Sequence, residues 1–399
     1  MNPPTAAARS PLDPRRTPLA ELEALRALAP VITSRADECE SARRLPDDLA
    51  AELARAGLFR IMVPAIYGGP ELHPIECVRV IEEVSRLDGS VGWCVMIGAT
   101  TALLAGYLPE RWARPIYSDP MVITCGATAP TGRARIVDGG YEVSGRWPWG
   151  SCVHNGRWIT GVAQVFTGEE PRIVGDQPEQ RLMLFEAGDI EILDTWNVSG
   201  LRGTGSHDFC VQRAFVPTDR SIVLGVTPPV LDGPLYRIPI ITSLGYAVCS
   251  VALGIARRAI EELLSLGAHK APAGSRRTLL EITTIQERIG EAEARLRSAR
   301  AFLFEALDGA YSTLAAGDSL STEQRCDLRV AAANAAWQSA AAVDLMYNAG
   351  GGSSIHSTSP LQHCFRDVHV ATQHQRVSPF VIQQAGRLYA GLGEPPVGF

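Results

Sequence analysis

The side chains in this sequence best suited to chemistry fall into a few short stretches. His374 has an ordinary pKa near neutrality, so it suits giving or taking a proton. Ser151 stands just after Trp147 and Trp149, pairing a hydroxyl with two aromatic rings. A hydroxyl so placed serves a bound cofactor or satisfies nearby backbone groups, and the rings equally suit core packing. Arg202, Thr204 and Ser206 put a cation and two hydroxyls on a Gly-rich run, a composition that fits an anionic phosphate, an acidic substrate group or a salt bridge at a domain joint. His207 and Asp208 follow at once, within reach of whatever that run binds. Gly350, Gly351 and Gly352 permit close backbone approach, to a phosphate or between helices.

Other chemistries are disfavoured. No G-x-G-x-x-G occurs, and Gly203-Thr204-Gly205-Ser206 lacks the third glycine, so the sequence carries no recognisable dinucleotide-binding site. P-loop and zinc-ligand spacings are also missing. A formal charge of −6, a pI near 5.8 and no basic run argue against nucleic acid as a partner. The nine cysteines are scattered singly with no C-x-x-C, which suggests reduced thiols and a cytoplasmic location. The most apolar stretch, 91–108, contains Gly98 and Gly106 and reads as a buried core helix, so no membrane segment is expected.

The elements that must position these residues change texture twice. Residues 1–17, rich in Pro, Ala and Arg, read as a flexible tail without the apolar core of a signal peptide. From 18 to 120 the spacing is helical, with Leu19, Leu22, Leu25 and Leu28 recurring and Asp47-Asp48 opening a second run over 49–58. From 121 to 225 short β-rich runs predominate, with Asp138-Gly139-Gly140 as a turn, and a β-barrel-like domain is expected. From 226 to 399 long Ala/Leu/Arg-rich segments (247–266, 279–307 and 322–347) predict a helical bundle. The order is α+β, mainly α, and not an alternating βαβ sheet.

Four passages, in order, resemble the acyl-CoA dehydrogenase superfamily. They are Leu58-Phe59-Arg60-Ile61-Met62-Val63-Pro64 with Tyr67-Gly68-Gly69-Pro70; Thr128-Ala129-Pro130 leading to Gly145-Arg146-Trp147-Pro148-Trp149-Gly150-Ser151; Gly200-Leu201-Arg202-Gly203-Thr204-Gly205-Ser206 with Ala214-Phe215-Val216-Pro217; and Gly350-Gly351-Gly352 with Phe365-Arg366-Asp367. Where dehydrogenases of the family often place a proton-abstracting carboxylate, this chain reads His374-Gln375-Arg376, and a glutamine has no useful basicity. The chain also lacks the Glu-Pro-Gly-x-Gly-Ser-Asp continuation after Thr128-Ala129-Pro130. Trp149-Gly150-Ser151 and His374 fall instead where flavin-dependent monooxygenases of this fold carry a Trp/Phe-x-Ser element and a flavin-facing histidine.

That resemblance implies an N-terminal helical domain, a central β domain and a C-terminal helical bundle. It implies a homotetramer that takes reduced FMN or FAD from a separate flavin reductase and uses O₂ to hydroxylate a small phenolic or indolic substrate through a flavin C4a-hydroperoxide. Ser151 would stand near flavin N5, and His374 would act as acid/base. Thr128, Trp149, Arg202, Thr204, Gly351 and Gly352 would join Ser151 in holding the cofactor, with Trp93, His207 and His369 lining the substrate pocket. His369 lies five residues before His374, about 140° round a helix, so the two are not expected to pair. The rival readings are an FAD-dependent acyl-CoA dehydrogenase or oxidase, an S- or N-oxygenase of the same fold, and a helical scaffold that has lost its flavin.

Overall fold

The computed structural model describes residues 20–393; the tail expected over 1–17, and Leu19, lie outside them. The apolar spacing at the start of the chain resolves into helices α1 (Ala20–Ser34), α2 (Ala36–Ala42), α3 (Asp47–Arg55), α4 (Pro74–Leu87), α5 (Gly89–Thr101) and α6 (Glu110–Tyr117). Local signals set their starts. Pro74 follows a capping box between His73 and Glu76, and Asp88 caps α5 by accepting the Val91 N–H at 2.8 Å.

Helix α5 is buried from Gly89 through Thr100, which explains why it reads as apolar all round. Its glycines are packing sites. A Cβ on Gly92 would stand 2.0 Å from Ser85 Oγ, and one on Gly98 would stand 2.5 Å from the Phe59 ring. By length and composition Gly89–Gly106 and Ile240–His269 are each apolar enough to cross a membrane, yet the most apolar 18 residues of each are 94% and 83% buried inside the protein.

The middle of the chain supplies β1 (Thr124–Val137), β2 (Gly140–Gly150), β3 (Trp158–Thr167), β4 (Glu170–Pro171), β5 (Ile173–Val174), β6 (Gln177–Pro178), β7 (Gln180–Glu186), β8 (Glu191–Leu193), β9 (His207–Pro217) and β10 (Ser221–Ile222). The main sheet runs β10-β7-β3-β1-β2-β9-β8, with β4 beside β3; β1 and β3 pair in parallel. The Asp138-Gly139 turn forms as the sequence suggests, with Val137 opposite Gly140 and Gly139 at φ +79°.

The chain then returns to helix: α7 (Pro234–Arg237), α8 (Ile240–His269), α9 (Thr283–Ala315), α10 (Thr322–Gly350), α11 (Pro360–Ala371) and α12 (Pro379–Tyr389). The long helices begin earlier or end later than the runs 247–266, 279–307 and 322–347, because tertiary packing extends them beyond their most periodic centres. Helix α8 packs on α4, α5 and α10, joining the first and last helical groups into one core. The architecture is thus the helical, sheet, helical order expected of an acyl-CoA dehydrogenase-like fold.

Candidate active site

Where the sheet meets α5, α8 and the end of α11, a cavity of about 550 Å³ opens. Two irregularities in the sheet shape it. Between Ala127 and Gly132 the register of β1 on β3 shifts, so residues 128–131 pair with neither β2 nor β3. Thr128, Ala129 and Pro130, in this irregular part of the strand, line the cavity.

The second irregularity lies in β2, whose register on β9 shifts between Trp147 and Gly150. Strand alternation alone would place Trp147 and Trp149 on the same face. Instead Trp149 takes φ +63° and swings out to 64% exposure at the cavity mouth, while Trp147 stays fully buried. Trp147 is core: it stacks on Phe209 at 5.3 Å and donates Nε1–H to the Val162 carbonyl at 2.7 Å. The bulge also turns Ser151 inward, where it bridges to Gly126 and lines the cavity. Residues held in such backbone positions are kept there by their surroundings, commonly at functional sites.

Ser151 heads a chain of hydroxyls. Trp93 Nε1–H donates to Ser151 Oγ at 3.0 Å, and Ser151 Oγ lies 2.7 Å from Ser206 Oγ. Ser206 Oγ lies 2.7 Å from Thr204 Oγ1, which donates to the Leu201 carbonyl at 2.8 Å. All four side chains are buried and line the cavity. The chain terminates on a carbonyl, so its donors run toward Leu201, and Ser151 presents its oxygen with a fixed acceptor and donor pattern.

His374 closes the other side, its ring 5.8 Å from Trp93 in an edge arrangement. Its Nδ1 accepts the Arg376 backbone N–H at 3.2 Å. The neutral ring must therefore carry its proton on Nε2. Burial, aided by the Arg376 guanidinium, lowers the imidazole to about 4. The expectation of a histidine titrating near neutrality is corrected on this point: the side chain is a neutral Nε2–H donor at physiological pH.

A tight joint holds the Thr204–Ser206 stretch in place. Asp367 on α11 accepts the Leu201 N–H at 2.6 Å, and Arg366 donates to the Ser199 carbonyl at 2.6 Å and to Glu40 at 2.9 Å. Gly200 makes this approach feasible, since a Cβ there would lie 2.3 Å from the Arg366 carbonyl oxygen. The third and fourth sequence passages thus meet in space. Asp367 is buried beside Asp88, and that burial raises its carboxyl to about 7.

Of the residues singled out from sequence, Trp93, Thr128, Trp149, Ser151, Thr204 and His374 come together around the cavity. Arg202, His207, His369, Gly351 and Gly352 do not. His207 Nδ1 accepts the Thr195 and Trp196 N–H groups at 3.1 and 3.2 Å, so its ring is spent holding that loop. Asp208 is engaged by Arg146 at 2.8 Å. His369 turns to Asp344 at 2.9 Å and packs edge-on against Phe365 at 4.6 Å, away from His374 as the helical rotation requires. Arg202 has a buried Nε without a hydrogen-bond partner among the described residues, outside the cavity lining. Gly350 packs tightly under Ser354 and Leu361, whereas Gly351 and Gly352 sit exposed with open space around them.

Sequence reasoning missed Ile97, Trp196, Leu244, Val370 and Gln373, which also line the cavity. Gln373 adjoins His374 and was within reach of the same motif reading. The others are ordinary apolar positions until the fold brings them together.

This fold and site define a member of the acyl-CoA dehydrogenase superfamily, and family models agree: an acyl-CoA dehydrogenase N-terminal domain matches residues 22–111 and a C-terminal domain residues 246–379. Within it, the chain is 32% identical to an indole-3-acetate monooxygenase of Pseudomonas putida, over 90% of each chain. It is 28% identical to the flavin-dependent monooxygenase oxygenase subunit HsaA of Rhodococcus jostii, covering 94% of this chain and 97% of that one. The solved 3-HSA hydroxylase of Rhodococcus sp. RHA1 superposes with a TM-score of 0.88 at 26% identity, covering 96% of this chain and 99% of the other. The chain belongs to the flavin-dependent monooxygenases built on the acyl-CoA dehydrogenase fold.

Proposed function

We propose that this protein is the oxygenase component of a two-component system, receiving reduced FMN or FAD from a separate reductase and hydroxylating a small phenolic or indolic aromatic. The observation that carries the reading is the composition of the cavity: hydroxyls and a neutral histidine line it, and among the described residues no carboxylate does. A dehydrogenase acting on thioesters needs a base of that kind at the ring. The naming of relatives as monooxygenases and as an oxygenase subunit supports a partner reductase.

The residues fit a flavin. The irregular stretch of β1 at 128–130 suits the polar edge of a flat heterocycle, and the Ser151 hydroxyl is fixed between Trp93 and Ser206. Bound reduced flavin supplies the electrons that activate O₂. The protein's share is to keep water out with Trp93, Ile97, Leu244 and Val370, to hold a hydrogen bond at Ser151 Oγ, and to donate a hydrogen bond from the neutral His374 Nε2–H. Because Nδ1 is occupied by the Arg376 N–H, His374 serves as donor and not as base in this arrangement.

The test supplies NADH, a flavin reductase, FMN or FAD, and a panel of phenols, indoles and acyl-CoA thioesters. Hydroxylated aromatic product dependent on the reductase is expected, and desaturation of a thioester in place of it would overturn the proposal.

A further inference from the structure

Resting on the flavin reading above, we infer that the substrate taken beside the flavin is a compact aromatic without formal charge, and that Gln373, an uncharged amide on the cavity wall, leaves an acid there without a countercharge. Among the described residues, no Lys, Arg, Asp or Glu lines the 550 Å³ cavity. The hydroxyls of Ser151, Ser206 and Thr204 are committed to one another, and His374 Nδ1 is committed to the backbone. The polar side chains left for a ligand are His374 Nε2–H, the amides of Gln373 and Gln375 and the Thr128 hydroxyl, all without charge. Gln373 makes a single long bond to Thr372 Oγ1, at 3.3 Å.

The cations nearby are directed elsewhere. Arg376 lines a separate, much smaller cavity together with Arg329 and Thr242, and Arg202 does not reach the lining. His374 stays uncharged at neutral pH. A carboxylate entering here would surrender its water for amides and a neutral imidazole, and a buried charge without a countercharge is strongly disfavoured. A hydroxyl or ring N–H loses far less, because uncharged donors and acceptors replace its water like for like. The apolar walls of Trp93, Ile97, Leu244 and Val370 take the ring. Gln373 and Gln375 are exposed toward the opening, so a charge placed there is tolerated by the fold and felt by the ligand.

The test uses calorimetric titration of the flavin-loaded protein at neutral pH, after flavin binding has itself been measured by quenching of flavin fluorescence. The probes are two pairs matched in ring and differing in charge: indole with indole-3-acetate, and 4-methylphenol with 4-hydroxyphenylacetate. The neutral member of each pair is expected to bind at least about tenfold tighter. Gln373→Arg should shift that ratio toward the acid by about tenfold, and Gln373→Glu should shift it the opposite way; Gln375→Arg provides the same test at a second exposed position. Acids binding as tightly as their neutral partners, or the two Gln373 variants moving both probes alike, would overturn the inference. A protein that binds flavin and neither member of a pair also overturns it while leaving the flavin reading intact. Failure to bind flavin at all removes both.

Discussion

Two neighbouring regions of this molecule treat buried polarity in opposite ways. Around the cavity, Trp93, Ser151, Ser206, Thr204 and His374 meet their needs with uncharged dipoles. Behind it, where α2, α5, α8 and α11 converge, ionisable groups crowd together: Glu40, Asp88, Arg258, His363, Arg366 and Asp367. There His363 and Arg366 hold the Glu40 carboxyl down at about 2, and Arg258 caps α4 through the Leu87 carbonyl at 2.8 Å. The difference separates two tasks. The Arg366 guanidinium and the Asp367 carboxyl dock the Gly200–Leu201 loop onto α11, while the reacting space is left to uncharged dipoles that keep it dry and neutral.

The sharpest way to break this comparison is at His374. His374→Ala should leave flavin binding nearly intact and lower product formed per NADH by about a hundredfold, with H₂O₂ released instead, the usual loss when a positioned hydrogen-bond donor to the reacting oxygen is removed. Product and peroxide quantified together check this; unchanged coupling would remove His374 from the reaction. The pH profile sharpens the point. Since the imidazole is lowered to about 4, coupling should run flat through pH 6.5, and an inflection there would show that the ring titrates in its ordinary range.

Next in size comes the charged joint. Asp367→Ala leaves the buried Leu201 N–H without its acceptor and should cost about 2 kcal/mol in denaturant unfolding. Asp367→Asn keeps an acceptor and isolates the charge. With its folded value raised to about 7 against 3.8 unfolded, the carboxyl stays protonated in the native state while the unfolded chain ionises. Its contribution is therefore full below about pH 3.8 and lost as pH rises through 7. The fall in melting temperature between pH 5 and pH 8 should shrink in Asp367→Asn relative to the parent, and an identical fall would dismiss Asp367 as its source.

The smallest effect is expected at the hydroxyl chain. Ser151→Ala strands the Trp93 Nε1–H and breaks the link to Ser206, which should cost about 1 kcal/mol of stability and reduce coupling by roughly tenfold. Thermal melts and product yields together separate the two consequences.

Much of this was legible along the chain. The helical and β textures, the helix start at Asp47-Asp48 and the Asp138-Gly139 turn follow from local periodicity and turn chemistry, which need only near neighbours. The glycine run 350–352 marked close approach, which Gly350 makes against Ser354 and Leu361. Ser151 and His374 stood out by residue type and by motif position, and both reach one cavity.

What local reading could not decide was aim and environment. His207, His369 and Gly351 were as promising as His374 by type, yet the first two were turned to other partners and the third to open space once the elements packed. The value of about 4 at His374, against about 7 at Asp367, comes from burial and from neighbours distant in sequence, so no reading of residues in order could assign it. Residue type and spacing determined which groups were available to react. Only tertiary packing decided which of them face the same space and which protons they hold there, because desolvation and hydrogen bonding are properties of the surroundings and not of the side chain.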